Sequence, residues 1–189
     1  MNLPNKLTIL RIILIPICMI FIVLNAIPDF WSRIIASALF IITALTDMLD
    51  GKIARKRNLV TNFGKFLDPV ADKLLIIGSY LALMVKYRED AVLNQVMFWA
   101  LFIVITREIA VTSLRMIVSN DVVIPANIWG KCKTVSQMIC VCVILLEPIV
   151  LPGMLMIPSY TLIAVSTLLT VISGFSYFKA YWPYINSNK

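Results

Sequence analysis

Residues 47–72 read DMLDGKIARKRNLVTNFGKFLDPVAD and hold four of the ten acidic residues of a chain that is 60% hydrophobic. The four aspartates form two pairs whose members are three or four residues apart, a spacing that places each pair on one face of a helix. The pairs are Asp47 with Asp50 and Asp68 with Asp72. Carboxylates this close repel one another unless a cation lies between them. Because the chain has no histidine, these hard oxygen donors predict Mg²⁺ or Mn²⁺ as the metal.

Small residues stand between the acidic pairs. Gly51, Ala54 and Gly64 would let a ligand approach the backbone closely. Arg55 lies one turn beyond Gly51, where its guanidinium could bind a phosphate. A metal site, a phosphate-binding arginine and small residues together predict a site for a nucleotide diphosphate.

The composition predicts a multi-pass, all-α integral membrane protein. The chain has 189 residues with only 14% charged, and its mean hydropathy is +0.91, values that soluble domains of this size rarely reach. No linker divides it, so residues 1–189 are predicted to form a single domain. The net charge of +7 is better explained by basic loops on one side of a membrane than by nucleic-acid binding.

Apolar runs separated by turn residues predict six transmembrane helices after a short interfacial helix over residues 1–11. The predicted spans are 7–24, 34–55, 64–86, 93–118, 128–147 and 160–181. Only thirteen uncharged residues separate Arg33 from Asp47, whereas a full crossing needs about 20. We therefore expect the polar halves of such helices to line a water-filled cavity.

The distribution of positive charge predicts the orientation. With six spans both termini lie on one side, and that side holds every Lys and Arg except Arg33, Lys86 and Arg88. The positive-inside rule then places the termini, the aspartates and the open end of the cavity in the cytoplasm. The expected location is the plasma membrane of a bacterium.

The spacing D-x2-D-G-x2-A-R-x8-G-x3-D-x3-D across residues 47–72 resembles the signature of the CDP-alcohol phosphatidyltransferases. The resemblance implies a six-helix membrane fold, a CDP-linked lipid donor and one or two divalent ions held by the four aspartates. It also gives Asp72 the role of general base. The N-terminal pattern N-x2-T-x2-R, formed by Asn5, Thr8 and Arg11, is similar to the start of many members. The donor site implied comprises Asn5, Thr8, Gly51, Ala54, Arg55 and Gly64.

A basic group follows in TREIAVTSLR (residues 106–115) and GKCKT (residues 130–134), which resemble the corresponding regions of the phosphatidylglycerophosphate synthases within that family. The resemblance implies sn-glycerol 3-phosphate as acceptor, with release of CMP and of phosphatidylglycerol phosphate. Its phosphate would be bound by the basic residues Arg11, Arg107, Arg115, Lys131 and Lys133. Direct attack of the acceptor hydroxyl on the β-phosphorus is favoured over a covalent phosphatidyl-enzyme, since no Ser or Cys accompanies the aspartates.

Other functions are compatible with parts of this pattern. The same transfer could use another acceptor, such as phosphatidylglycerol or an inositol phosphate, and the aspartates could instead form the ion site of a small cation transporter. The resemblance covers about residues 4–140, and beyond Glu147 we expect only a lipid-facing span. The expected partners are CDP-diacylglycerol, glycerol 3-phosphate, membrane lipid and a second copy of the chain, with no nucleic acid.

Overall fold

The computed structural model describes residues 3–24, 26–56, 61–118, 128–153 and 155–185, without the side chains of 3–4, 47–56, 62–63, 65 and 183–185. Within these ranges the chain forms six α-helices and no strand. The helices are α1 (Leu3–Val23), α2 (Asp29–Lys56), α3 (Asn62–Lys86), α4 (Ala91–Val118), α5 (Ile128–Val150) and α6 (Ile157–Ile185). The all-α prediction is confirmed.

The helices pack as two groups of neighbours. Helix α1 packs against α2 and α3, and α6 packs against α4 and α5. Contacts of α2 with α5 and of α3 with α4 join the two groups. The apolar core lies where they meet, and its most buried members include Ile22, Phe40, Tyr80, Leu83, Met97, Ile144 and Ile163. Burying such side chains contributes about 1.5–3 kcal/mol each relative to exposure in water.

Several predicted boundaries are wrong. The expected short interfacial helix is not a separate element, because α1 runs without a break from Leu3 to Val23. Its polar stripe is therefore carried on the helix that also provides the first apolar segment. Helix α5 continues through Pro148 to Val150 instead of ending before the proline. Helix α6 begins at Ile157 and ends at Ile185, which is longer at both ends than predicted.

The outer surface of the bundle suits lipid. Four helices, α1, α2, α5 and α6, contain described segments long and apolar enough to cross a membrane. Large apolar side chains such as Ile13, Ile42, Phe102 and Phe175 are exposed around the bundle, where water would penalise them and hydrocarbon would not. Helix α2 has 28 residues, about 42 Å at 1.5 Å per residue, so it has length for a crossing and a polar extension. The chain is therefore a membrane protein.

A group of hydrogen-bonded polar side chains joins three helices at the end of the bundle opposite to the aspartates. The Arg33 Nε donates to Asp29 Oδ2 at 2.5 Å, and one Arg33 terminal nitrogen donates to the Tyr87 hydroxyl at 2.5 Å. The Tyr87 hydroxyl in turn donates to the Ile144 carbonyl at 2.9 Å, which links α2, the end of α3 and α5. Burial raises the pKa of the Tyr87 phenol, so this hydroxyl stays protonated and keeps its role as donor.

We predict that Tyr87→Phe lowers the free energy of unfolding by about 1–3 kcal/mol, because the buried Arg33 guanidinium loses one of its hydrogen-bond partners and the Ile144 carbonyl loses its hydroxyl donor. The measurement is the thermal unfolding midpoint in detergent. The matched control is Tyr160→Phe, since the Tyr160 hydroxyl makes no hydrogen bond among the described residues. Equal midpoints for the two variants would contradict the role given to Tyr87.

Candidate active site

Residue Thr61 fixes the start of α3 and joins it to α1. Its backbone is extended, and its hydroxyl accepts a hydrogen bond from the Gly64 N–H at 3.0 Å, the usual arrangement of a helix N-cap. The same hydroxyl donates to Asn5 Oδ1 on α1 at 2.8 Å. A Cβ added at Gly64 would lie 3.1 Å from Asn5 Oδ1 and 3.3 Å from Thr61 Oγ1. The close approach of α1 therefore accounts for a glycine at this position.

One turn further along both helices, the Thr8 hydroxyl donates to Asp68 Oδ1 at 2.9 Å. Thr8 is buried and Asp68 is partly buried. The predicted residues Asn5, Thr8, Gly64 and Asp68 are thus brought together along the contact between α1 and α3. This hydrogen bond fixes the orientation of the Asp68 carboxylate.

A cavity of about 580 Å³ opens between α3 and α4, and acidic and basic side chains line it together. Its acidic side chains are Asp68, Asp72 and Glu108, and its basic side chains are Lys73, Arg107 and Arg115. The Lys73 Nζ bridges the two helices by donating to the Thr112 hydroxyl at 2.7 Å. Two predicted metal ligands and two predicted acceptor-binding arginines therefore share one cavity.

Glu108 organises the basic side of the cavity. An Arg107 terminal nitrogen donates to Glu108 Oε1 at 2.9 Å, and the Lys133 ammonium on α5 pairs with the same oxygen. All three side chains are at least 85% buried. Removing the carboxylate would leave two buried cations without this partner, which costs about 3–5 kcal/mol for a broken buried pair. The Glu108 carboxylate thus compensates the charges of Arg107 and Lys133 beside an apolar core.

Helix α6 holds both arginines. The Arg107 guanidinium donates to Ser173 Oγ at 2.7 Å and lies 5.5 Å from the centre of the Tyr177 ring. The Arg115 guanidinium donates to the Tyr177 hydroxyl at 2.8 Å and lies 5.0 Å from the same ring centre. Although eight helical positions separate the arginines by about 80° around α4, their long side chains converge on one tyrosine. We call Ser173 and Tyr177 the arginine clamp.

Sequence reasoning missed the arginine clamp, and the expectation of a purely lipid-facing α6 is wrong. The signal was present, because small polar residues and one tyrosine recur along α6 at alternating intervals of four and three. The stripe is Ser166, Thr170, Ser173 and Tyr177, and all four side chains are buried. Glu108 was also missed as a partner, although it directly follows Arg107 in an apolar helix.

Other predicted site residues lie elsewhere. Lys133 is buried and lines a narrow crevice together with Asp72 and Glu108, whereas Lys131 is exposed. Arg11 is fully buried in α1 and is not among the residues that line the cavity. The remaining predicted site residues lie in the last part of α2, where the backbone is helical but the side chains are outside the described part of the chain. These residues are Asp47, Asp50, Gly51, Ala54 and Arg55.

The described donor set fits a divalent metal. Asp68 and Asp72 are one turn apart on α3 and line the same cavity, and carboxylates so arranged offer Mg²⁺ or Mn²⁺ the oxygen ligands it prefers. Among described side chains no group of three or more potential ligands occurs. Asp47 and Asp50, whose side chains lie outside the described part of the chain, are the further ligands predicted from the sequence.

These features define a helical membrane protein whose cavity is lined by two aspartates of α3 and two arginines of α4. A family model for CDP-alcohol phosphatidyltransferases matches residues 1–173, and the chain belongs to this family of phosphatidyltransferase enzymes. The match extends into α6 and includes Ser173.

Relatives align with nearly the whole length of this chain. The CDP-diacylglycerol–glycerol-3-phosphate 3-phosphatidyltransferase of Bacillus subtilis (strain 168) is 41% identical, covering 99% of this chain and 98% of the relative. An enzyme of the same name from Rickettsia typhi is 35% identical, over 95% of this chain and 96% of the relative. A probable phosphatidylglycerophosphate synthase of Mycobacterium tuberculosis (strain CDC 1551 / Oshkosh) is 35% identical, over 93% of this chain and 79% of the relative.

We predict that Asp68→Asn weakens Mn²⁺ binding by at least about tenfold, because a neutral amide replaces a charged ligand and tenfold corresponds to only about 1.4 kcal/mol. Binding of Mn²⁺ to the purified protein is measured by electron paramagnetic resonance. Glu89→Gln is the control, since it removes one negative charge from the connection between α3 and α4. Equal affinities for both variants would contradict a metal site at Asp68.

Proposed function

We propose that this protein transfers the phosphatidyl group from CDP-diacylglycerol to sn-glycerol 3-phosphate, giving phosphatidylglycerol phosphate and CMP. The observation that carries the proposal is the shared cavity, in which Asp68 and Asp72 face Arg107 and Arg115. A donor diphosphate needs cations held by carboxylates, and a phosphorylated acceptor needs basic groups close to those carboxylates. Relatives that align with more than 90% of this chain carry names for this reaction.

The acidic side of the cavity would bind the donor. Asp68 and Asp72, with Asp47 and Asp50 from α2, would hold Mg²⁺ or Mn²⁺, which would supply positive charge to the donor diphosphate and to the departing CMP. Thr8 supports this role because its hydrogen bond fixes the Asp68 carboxylate. We propose that Asn5, Gly51, Ala54, Arg55 and Gly64 surround the nucleotide.

Asp72 would act as the general base. It lines the cavity between the donor side and the arginines, so an acceptor bound by its phosphate could present a hydroxyl to this carboxylate. Accepting that proton would let the hydroxyl oxygen attack the β-phosphorus directly, with CMP as leaving group. Lys133 lines the crevice beside Asp72 and would place a positive charge near this carboxylate.

The basic side would bind the acceptor phosphate through Arg107 and Arg115, with Lys133 contributing its charge beside them. Arginine presents a planar fork that suits a phosphate, and the arginine clamp holds both forks in place before the ligand arrives. Preorganisation of this kind lowers the entropy lost on binding. Lys131 and Arg11 lie away from the cavity lining, and we propose that they act at its margin.

We further propose six membrane crossings, with both termini and the open end of the cavity in the cytoplasm. The basic residues at the cavity end of the bundle support this orientation, as does the cytoplasmic supply of a water-soluble phosphorylated acceptor. The single domain over residues 1–189 would act as a homodimer in a bacterial plasma membrane.

We predict that purified protein with CDP-diacylglycerol and Mn²⁺ releases CMP when glycerol 3-phosphate is added. Phosphatidylglycerol, inositol 1-phosphate and glycerol should give little CMP. Asp72→Asn should reduce release by about 10²-fold or more, the usual contribution of a general base, yet still bind the CDP-lipid. Release with phosphatidylglycerol alone would identify a different acceptor, and full activity in Asp72→Asn would remove Asp72 as base.

We predict that Ser173→Ala and Tyr177→Phe each raise the KM for glycerol 3-phosphate by about tenfold, because a lost hydrogen bond to a charged group costs about 1.5–3 kcal/mol. The KM for CDP-diacylglycerol should change by less than about twofold, because the clamp residues bind the arginines and not Asp68 or Asp72. Steady-state kinetics with each substrate varied gives both values.

The matched control is Ser176→Ala, because the one partner of the Ser176 hydroxyl among the described residues is the Ile172 carbonyl of its own helix. It should leave both KM values unchanged. If Ser173→Ala and Tyr177→Phe raised the two KM values equally, the assignment of the arginines to the acceptor would be wrong.

A further inference from the structure

Lys73 reaches across the cavity between α3 and α4, from the acidic side to the basic side. It directly follows Asp72 on α3, and its side chain lines the cavity. The ammonium crosses to α4 and donates to Thr112 Oγ1 at 2.7 Å. Thr112 and Arg115 are three positions apart on α4, so their Cβ atoms lie about 5–6 Å from each other. The Lys73 ammonium is therefore held within one helical turn of Arg115.

The cations that line the cavity differ in how far their charge is compensated. Glu108 forms ion pairs with Arg107 and with Lys133. Among the described residues, neither Lys73 nor Arg115 forms an ion pair with a carboxylate. Each of these two side chains donates instead to a neutral hydroxyl. Lys73 and Arg115 therefore keep their positive charge for an anionic ligand.

Thr112 holds the Lys73 ammonium and leaves it able to bind a ligand. The Thr112 hydroxyl donates its own proton to the Glu108 carbonyl at 2.6 Å, so it serves Lys73 as an acceptor. A lysine ammonium has three N–H donors, and the described contacts use one of them. Lys73 is half-buried and Thr112 is exposed, so their contact is open to water. The remaining donors of Lys73 can therefore bind an oxyanion that enters the cavity.

A phosphate monoester suits this pair of cations. Such a group carries close to two negative charges at neutral pH and has three strong acceptor oxygens. The planar Arg115 fork can bind two of these oxygens at once. The Lys73 ammonium, a compact point charge on a flexible stem, can bind the third. A dianionic ligand thus meets one positive charge from each of the two helices.

From this arrangement we infer that Lys73 is a further substrate-binding residue, which contacts the phosphate of the acceptor together with Arg115. The inference rests on the proposed function and adds a residue of α3 to an acceptor site that otherwise lies on α4 and α5. Thr112 is a positioning residue, because it acts on the acceptor through Lys73. Since Lys73 directly follows Asp72, the phosphate contact also keeps the acceptor close to the proposed general base.

The test separates the charge of Lys73 from its hydrogen bond. Lys73→Gln removes the charge and retains an N–H donor for Thr112. Lys6→Gln is the matched control, because Lys6 is exposed on α1 beside Asn5, at the same end of the bundle, and does not line the cavity. Each purified variant is titrated with glycerol 3-phosphate in a calorimeter, which requires no turnover. Steady-state kinetics then give the KM for CDP-diacylglycerol.

Lys73→Gln should weaken the binding of glycerol 3-phosphate by at least about tenfold, which corresponds to about 1.4 kcal/mol. Its KM for CDP-diacylglycerol should stay within about twofold of the unaltered value, since Lys73 is held on the basic side of the cavity. Lys6→Gln should change neither quantity. An unchanged affinity for glycerol 3-phosphate, equal losses in the two lysine variants, or a larger effect on the donor than on the acceptor would overturn the inference.

Thr112 provides a second pair of variants, which also decides the matter if Lys73→Gln does not fold. Thr112→Val removes the hydroxyl that holds Lys73 and keeps the side-chain volume. It should raise the KM for glycerol 3-phosphate by about threefold and change kcat by less than about twofold, because Lys73 remains present but is no longer held. Thr112→Ser keeps the hydroxyl and should restore the KM. Equal KM values in Thr112→Val and the unaltered protein, or a loss that Thr112→Ser does not restore, would contradict the inference.

The titration also distinguishes this inference from the function on which it rests. CMP release with glycerol 3-phosphate by both the unaltered protein and Lys73→Gln, with equal affinities, would overturn the inference and leave the reaction standing. Binding of glycerol 3-phosphate that depends on Lys73, without CMP release, would support the phosphate site and overturn the reaction. Absence of both binding and release would overturn the two proposals together.

Discussion

Charged side chains inside an apolar helical bundle are stable only where opposite charges, hydrogen-bond partners or ligands meet them. In this protein that constraint groups acidic and basic side chains in the cavity between α3 and α4, and pairs Arg33 with Asp29 at the opposite end of the bundle. Glu108 partners Arg107 and Lys133, and Thr8 partners Asp68. These contacts join α1, α3, α4 and α5 around the cavity, so the groups that compensate charge also position the candidate catalytic residues.

The same constraint divides the cavity into two sides with different chemistry. Carboxylates on α3 offer ligands to a divalent ion, whereas the arginines on α4 are held by a hydroxyl and an aromatic ring of α6. Neither Ser173 nor Tyr177 carries a formal charge that would cancel that of an arginine. The Arg115 guanidinium therefore keeps the positive charge that an anionic ligand requires, whereas the charge of Arg107 is partly compensated by Glu108.

Much of this arrangement is predictable from the sequence, because it depends on local spacing. The composition predicts an all-α membrane protein, and the intervals between aspartates place Asp68 and Asp72 on one face of α3. The family resemblance predicts which arginines belong together. The spacing of residues along the sequence does not predict which helix packs against the arginines. Arg107 and Arg115 point about 80° apart on an ideal helix, and only the packing of α6 brings Tyr177 between them. Likewise, Gly64 is explained by Asn5, which is distant in sequence.

The central claim is that one cavity holds a metal on its acidic side and a phosphate on its basic side. Anomalous diffraction from crystals soaked with Mn²⁺, CMP and glycerol 3-phosphate tests it most directly. The account predicts manganese density within ligand distance, about 2.0–2.6 Å, of the Asp68 or Asp72 carboxylate, and phosphate density beside Arg115. Manganese density only elsewhere, or none with the nucleotide bound, would contradict the account.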